Sequence, residues 1–389
     1  MKIAILTQPL RTNYGGILQA YALQTVLQRR GHEVVVINRE YQDYPSIKLL
    51  CLRVGAILKS LIRRYILGKR EYIIMNPLSS LFRTKWDGYI VQPFVKKKIC
   101  QSPEIRNSES MRRYFARQKF DSYIVGSDQV WRPCYSPCIT DFFLKSVPND
   151  LNVRRIAYAA SFGTSDWEFS EEDALECARL AKLFDKISVR EKSGVNLCKV
   201  HLGVQAEHVL DPTMLLDAED YIRLFENAKT PKSESNLFCY VLDENKESER
   251  IINSLEHDGY KATYAKLFTT PTRENPKPCQ LSVEEWLRGI YDSELVVTDS
   301  FHACVFSIIF KKPFIALGNN VRGNARFDSL FETFNLQDRL ISSYDKFEIR
   351  KEVLMDIFDT TRVECLLQEL RKKSNLFLDC IISFKNHKS

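Results

Sequence analysis

The sequence predicts an α/β protein of two Rossmann-like domains facing a central cleft. Three observations carry this. Short runs of Val, Ile and Leu recur between helical stretches without polar alternation, the pattern of parallel strands buried on both faces. The alternation pauses at a polar stretch, "ENAKTPKSESN" (226–236), and then restarts. The 389 residues, 44% of them hydrophobic, suffice for two domains of ordinary size, each with its own core.

Taken in order, "KIAIL" (2–6) is a strand and "NYGGILQAYALQ" (13–24) a two-glycine loop leading into a helix over about 16–30 that Gly31 ends. "EVVVI" (33–37) is the next buried strand. A basic helical insertion over about 44–118 follows, and then "SYIVG" (122–126) resumes the sheet. "RRIAYAASFG" (154–163) is a strand ending in Ser and Gly. A helix over 171–184, the strand "KISVR" (186–190) and a short strand with a proline turn in "AEHVLDPTMLL" (206–216) complete the first domain, residues 1–225.

The second domain, 235–389, opens on the strand "LFCYVL" (237–242) and a helix ended by Gly259. Ser282 and Glu285 form a capping box for the helix in "SVEEWLRGIYDS" (282–293). The strand "ELVVTDS", the helix "FHACVFSIIF" and the strand "KPFIALG" follow, and a helical tail covers 361–384.

The composition excludes several classes. No apolar run reaches the roughly 18–20 residues of a membrane span, and "MKIAILT" lacks the features of a secretory leader. The expectation is a cytoplasmic chain. Its 11 cysteines, scattered without regular spacing, read as free thiols; Cys134 and Cys138 lack the second ligand pair of a zinc site. The net charge of +7 is uneven: residues 47–118 hold 16 Lys and Arg against 4 Asp and Glu. Within them, "IKLLCLRVGAILKSLIRRYILGK" (47–69) is a basic amphipathic helix. It either packs on its own domain or lies on an anionic membrane face. No helix-turn-helix, zinc finger or aromatic RNA-binding box occurs, so nucleic acid is not an expected partner.

In a doubly wound sheet, ligands bind beyond the carboxyl ends of the strands. The residues there are Asn13, Tyr14, Gly15 and Gly16; Ser127, Asp128 and Gln129; Ser161; Arg190; Asp299, Ser300 and His302; and Asn319, Asn320, Arg322, Asn324 and Arg326. The neutral groups suit sugar hydroxyls, and the arginines suit phosphate or carboxylate. Gly15 and Gly16 are either a tight turn or a cradle for an anion or sugar. His302 starts a helix at the ligand edge, so it is an acid–base candidate unless it caps the helix or packs in the core. Arg190 either contacts ligand or pairs with Glu191 or another neighbour. There is no G-x-x-x-x-G-K-[ST], no complete G-x-G-x-x-G and no D-x-D.

Read together, "NYGGILQAYALQ", "FDSYIVGSDQVW", "RIAYAASFG", "ISVREKSG", "VLDPTMLL" and "VVTDSFHACVFSIIFKKPFIAL" resemble the polysaccharide pyruvyl transferases along most of the chain. The resemblance implies a glycosyltransferase-B-like fold. It also implies transfer of a pyruvyl group from phosphoenolpyruvate to a sugar of a cell-surface polysaccharide, or of its lipid-linked precursor, forming a ketal. No cofactor or metal is implied. In that family an arginine of the first domain and an Arg-Leu-His motif of the second are implicated in donor binding and catalysis. Arg190 matches the first arginine and His302 the histidine. Ser300 and Phe301 stand where Arg and Leu are found, which removes a cation; Arg326, or else Arg322, is expected to replace it. The acceptor is expected at Asn13, Tyr14, Gly15, Gly16, Asp128 and Gln129. Two other readings use the same residues: a nucleotide-sugar glycosyltransferase on this fold, and a non-catalytic sugar-binding relative.

Overall fold

The structure is a computed structural model that describes residues 1–41, 90–148, 152–265, 280–318 and 325–382. The amphipathic stretch 47–69 and the strand-end candidates Asn319, Asn320, Arg322 and Asn324 lie outside the described residues.

Two all-parallel sheets make up the fold, in a glycosyltransferase-B-like arrangement. The first has strands β1 (Lys2–Leu6), β2 (Glu33–Ile37), β3 (Ser122–Val125), β4 (Arg154–Ala160), β5 (Lys186–Val189) and β6 (Glu207–His208), in the spatial order β2-β1-β3-β4-β5-β6. Helices α1 (Tyr14–Arg29), α2 (Gln92–Lys98), α3 (Ser108–Gln118), α4 (Glu171–Ala181) and α5 (Lys192–Leu197) cover it, and α6 (Ala218–Asn227) leads out. The second sheet has β7 (Leu237–Tyr240), β8 (Ala262–Tyr264), β9 (Leu295–Thr298), β10 (Phe314–Leu317) and β11 (Leu340–Ile341), ordered β11-β10-β9-β7-β8. Its helices are α7 (Lys246–His257), α8 (Val283–Asp292), α9 (Phe301–Ile309), α10 (Ala325–Phe334), α11 (Tyr344–Met355) and the terminal α12 (Thr360–Ile382).

Both sheets reverse their winding once, the first between β1 and β3 and the second between β7 and β9. The chain departs to opposite sides there, leaving a crevice at the strand ends. Side chains brace each crevice. Thr7 donates to the Ser127 carbonyl at 2.9 Å in the first sheet, and Thr298 donates to the Tyr240 carbonyl at 2.6 Å in the second.

The helix termini follow from the sequence. Ser282 and Glu285 close the capping box on α8. Asn13 caps α1 by accepting from the Gly16 amide at 3.2 Å. That cap places Gly15 and Gly16 in the first turn of α1 rather than in a loop before it, correcting the expected start near residue 16 by two residues.

Between the two sheets runs one apolar core. It joins α1 and residues 209–225 of the first half to α8, α9 and α12 of the second, with Trp286 and Tyr221 fully buried in it. Separate clusters fill the outer faces of each sheet. Helix α12 returns to the first half, where Arg371 donates to the Met214 and Leu216 carbonyls and the Ser374 hydroxyl accepts from the Leu210 amide. An apolar interface of this kind makes the two halves one packed body.

Candidate active site at the meeting of the two strand edges

Arg190 follows β5 and is held at the sheet edge by its own amide, which donates to the Ala160 carbonyl at 3.1 Å. Its guanidinium is buried among three elements. Nη1 donates to Asp211 Oδ2 at 2.7 Å, Nη2 lies 3.4 Å from Asp128 Oδ1, and Nη1 lies 3.5 Å from His302 Nε2. The group stays firmly charged: burial opposes the charge, but Asp211, Asp128 and Glu191 together outweigh it and raise the pKa.

Asp211 stands three residues beyond the short strand β6 and caps the turn that begins at Pro212. Thr213 donates to its Oδ1 through both the amide, at 3.0 Å, and the hydroxyl, at 2.7 Å. Its Oδ2 faces Arg190 and, at 3.5 Å, His302 Nε2. Burial alone would raise the Asp211 pKa, yet His302 and Arg190 hold it well below the usual carboxylate range. The carboxylate is therefore an anchored anion shared by a cation of the first half and an imidazole of the second.

His302 is the second residue of α9 and is 4% exposed. Its ring lies against the first turn of α1. A Cβ placed on Gly15 would fall 2.0 Å from Nδ1 and 2.2 Å from Cγ, so only glycine admits the imidazole. Gly16 serves Asp128 in a milder way, since a Cβ there would come within 3.3 Å of Oδ2.

Phe301 precedes the histidine and organises the cations. The Arg190 guanidinium carbon lies 4.6 Å from its ring centroid and that of Arg326 lies 5.8 Å away. Arg326 sits in the first turn of α10, after β10, and is 8% exposed. Burial and then the nearby Arg190 charge push its pKa down to about 10, so it remains a cation at neutral pH. Among the described residues, its Nε is buried without a partner, as is Arg190 Nε. Two guanidiniums beside one aromatic ring, each with a donor that no described residue satisfies, have the chemistry to bind carboxylate or phosphate.

Among the sequence candidates, the structure brings together Gly15, Gly16, Asp128, Arg190, His302 and Arg326. Ser300 holds the N-cap position of α9, with its amide bonded to Thr298 Oγ1 at 2.9 Å. Gln129 sits one residue beyond Asp128, its Oε1 filling the space a Cβ on Gly163 would take. Asn13 is spent on capping α1. Tyr14 points elsewhere: its ring is fully buried, stacks on Trp286 at 5.1 Å, and its hydroxyl donates to the Leu281 carbonyl at 2.7 Å. Asp299 likewise braces the fold, accepting from the Leu242 and Asp243 amides.

Sequence reasoning missed three members. Asp211 was visible only as an acid before proline in the turn after a short strand. Phe301 reads in sequence as a replaced leucine, and its cation-stacking face appears only in three dimensions. Glu191 is fully buried, accepts from the Phe162 amide at 2.7 Å and fixes the turn after β4; burial raises its pKa.

A family model described as polysaccharide pyruvyl transferase matches residues 13–321. No curated protein matches the chain. Among solved structures, the UDP-N-acetylglucosamine 2-epimerase of Rickettsia bellii superposes with a TM-score of 0.54 at 9% identity, covering 99% of this chain and 96% of that one. A glycosyltransferase of Rickettsia africae ESF-5 gives 0.49 at 10% identity, covering 100% and 99%. UDP-GlcNAc 2-epimerase of Methanocaldococcus jannaschii, in complex with UDP-GlcNAc and UDP, gives 0.45 at 13% identity, covering 96% and 100%. At such identity the likeness is one of fold alone.

Proposed function

Because the chain belongs to the polysaccharide pyruvyl transferase family, we propose that it transfers the pyruvyl group of phosphoenolpyruvate to a saccharide, forming a ketal with two sugar hydroxyls and releasing phosphate. The observation that carries this reading is the pair of buried guanidiniums, Arg190 and Arg326, that both lie against the ring of Phe301, the residue preceding His302.

Phosphoenolpyruvate brings a carboxylate and a phosphate on one carbon. Two fixed arginines answer that pattern, and their unpartnered Nε donors give each anion a directed contact. Arg326 takes the place of the arginine that Ser300 lacks, with Arg322 the alternative outside the described residues. In the reaction the methylene carbon gains a proton and becomes a methyl group. One sugar oxygen attacks the central carbon, phosphate departs, and the second oxygen closes the ketal. Of the two hydroxyl protons, one is matched by the proton on the methyl group and the other by the proton on the phosphate. His302 is the group that moves a proton, and Asp211 and Gly15 hold its ring in place. Arg190 and Arg326 stabilise the departing phosphate.

The acceptor enters from the first sheet's edge at Gly16, Asp128 and Gln129. The basic segment 47–118 holds the enzyme near an anionic membrane, each basic residue close to such a surface contributing about 1 kcal/mol. No helix among the described residues is long and apolar enough to cross a membrane. The donor decides the reading: phosphoenolpyruvate consumption coupled to acceptor supports it, whereas turnover of nucleotide sugars alone favours a glycosyltransferase.

A further inference from the structure

Beyond the reaction centre, along the same carboxyl edge of the first sheet, two tyrosines stand out from an interior that buries most of the chain's rings. Tyr41, after β2, is 41% exposed, and Tyr135, after β3, is 37% exposed. They are joined to each other: the Tyr41 hydroxyl donates to the Tyr135 carbonyl at 2.7 Å. Each is also backed by a guanidinium. Arg11 lies 5.4 Å from the Tyr41 ring and Arg132 lies 4.9 Å from the Tyr135 ring.

Neither arginine leaves a net cation on the ledge. Arg11 Nε donates to Glu40 at 2.9 Å, and Arg132 holds Glu168 through two bonds of 2.8 and 2.9 Å. What the ledge offers is therefore two aromatic rings fixed in place, with neutral hydrogen-bonding groups beside them. Those groups are the Gln8 amide, which donates to the Gln129 carbonyl at 2.8 Å and lies 3.5 Å from Ser136 Oγ, and the Ser136 hydroxyl itself. Arg132 Nη1 reaches Gln129 Oε1 at 3.3 Å, and Gln129 adjoins Asp128 at the centre. A continuous run of side chains thus connects the ledge to Arg190 and His302.

We propose that Tyr41 and Tyr135, with Gln8 and Ser136, form a binding subsite for uncharged pyranose rings of an oligosaccharide whose terminal sugar reaches the His302 centre. A pyranose presents a face of C–H groups carrying slight positive charge and an edge of hydroxyls. The first suits the electron-rich face of a tyrosine, and the second suits amide and hydroxyl partners. Among the described residues, the two arginines of the ledge are each paired with a carboxylate, which disfavours a phosphate or an acidic sugar there. Rings already held by hydrogen bond and stacking lose little freedom when a ligand docks, which favours affinity. This inference rests on the reading of the chain as acting on a saccharide, but not on the identity of the donor.

The test is direct binding to the full chain, without donor, by titration calorimetry. The probes are unbranched hexasaccharides of glucose, galactose, mannose and N-acetylglucosamine, together with their monosaccharides. At least one hexasaccharide is expected to bind more tightly than its monosaccharide. Tyr41→Ala and Tyr135→Ala should each weaken that hexasaccharide about three- to tenfold, in proportion to one lost ring contact. Tyr135→Phe, which keeps the ring, should bind like wild type, and phosphoenolpyruvate affinity should be unchanged in all three. Absence of binding by every hexasaccharide, or wild-type binding by both alanine variants, overturns the subsite. A chain that binds hexasaccharide through the tyrosines yet never consumes phosphoenolpyruvate supports the subsite and contradicts the donor assignment instead.

Discussion

The His302 imidazole occupies the space that a side chain on Gly15 would take, with Nδ1 2.0 Å from where a Cβ would stand. This contact crosses between the two halves of the molecule. It gives the "YGG" stretch a physical reason: the first turn of α1 must lack a side chain so that the histidine of α9 can lie against it.

Gly15→Ala tests the contact. A methyl group at that spacing forces the imidazole or the helix to shift, because neither the backbone of α1 nor the packed ring has room to yield. Alanine is otherwise the best helix former, so α1 itself is not weakened. The expected result is a loss of turnover of about a hundredfold with the fold retained, read by steady-state rates alongside circular dichroism. Misplacement of a reacting group by about 1 Å is enough for a loss of that size.

His302→Ala should lower kcat about a hundredfold or more, the usual scale for a general acid–base group. Asp211→Asn should also lower kcat, because the amide no longer fixes both the Arg190 guanidinium and the His302 ring. The two variants differ in donor affinity: Asp211→Asn frees Arg190 and changes the donor KM, whereas His302→Ala leaves it near wild type. Equal donor KM in both variants, with kcat lost only in His302→Ala, would remove Asp211 from the account.

Arg190→Ala and Arg326→Ala should each raise the donor KM, since a lost charge-assisted contact costs about 1.5–3 kcal/mol, or roughly ten- to a hundredfold. Arg322→Ala is the comparison. If Arg326→Ala handles phosphoenolpyruvate like wild type while Arg322→Ala does not, the second cation comes from Arg322. If both behave like wild type, the replacement of the missing arginine fails.

Stability should fall with acid through His208. This residue lies between the halves, with Nε2 donating to the Arg190 carbonyl at 3.1 Å and 3.4 Å from the Ser329 hydroxyl. Burial lowers its pKa to about 4, against a smaller opposing effect of the bond to Arg190. The folded pKa lies below the unfolded value of about 6.5, so the unfolded chain takes up the proton first. The neutral form's contribution is complete above pH 6.5 and is lost as the pH falls towards 4, by up to about 3 kcal/mol. Urea unfolding of wild type and His208→Gln at pH 7, 5.5 and 4.5 reads this. The wild-type loss should be steeper, and parallel curves would contradict it.

Much of the fold could be read in the sequence because its signals are local. "EVVVI", "SYIV" and "ELVVT" are unbroken apolar runs, and each is a strand of a parallel sheet. The Ser282–Glu285 capping box marks the start of α8 within one turn. Helix α1 starts two residues early because Asn13, not a loop, supplies its cap. The site was partly legible. Arg190 and His302 stand at strand ends, where winding rules direct attention. Tyr14 stands there too, yet it turns away to stack on Trp286, since an aromatic ring at a helix start packs wherever an apolar partner lies. Asp211 and Phe301 gain their roles from contacts between residues 91 and 111 apart in sequence, Asp211 with His302 and Phe301 with Arg190, which no local pattern records.

The most direct test of the central claim is a donor panel with purified protein and the hexasaccharide acceptors. Phosphoenolpyruvate is compared with UDP-glucose, UDP-galactose and UDP-N-acetylglucosamine, reading phosphate or UDP release and the mass of the acceptor. The account predicts acceptor-dependent phosphate release from phosphoenolpyruvate alone. It also predicts an acceptor gaining one pyruvate minus one water, with both changes lost in His302→Ala. UDP release with a hexose added to the acceptor, and no consumption of phosphoenolpyruvate, would contradict it.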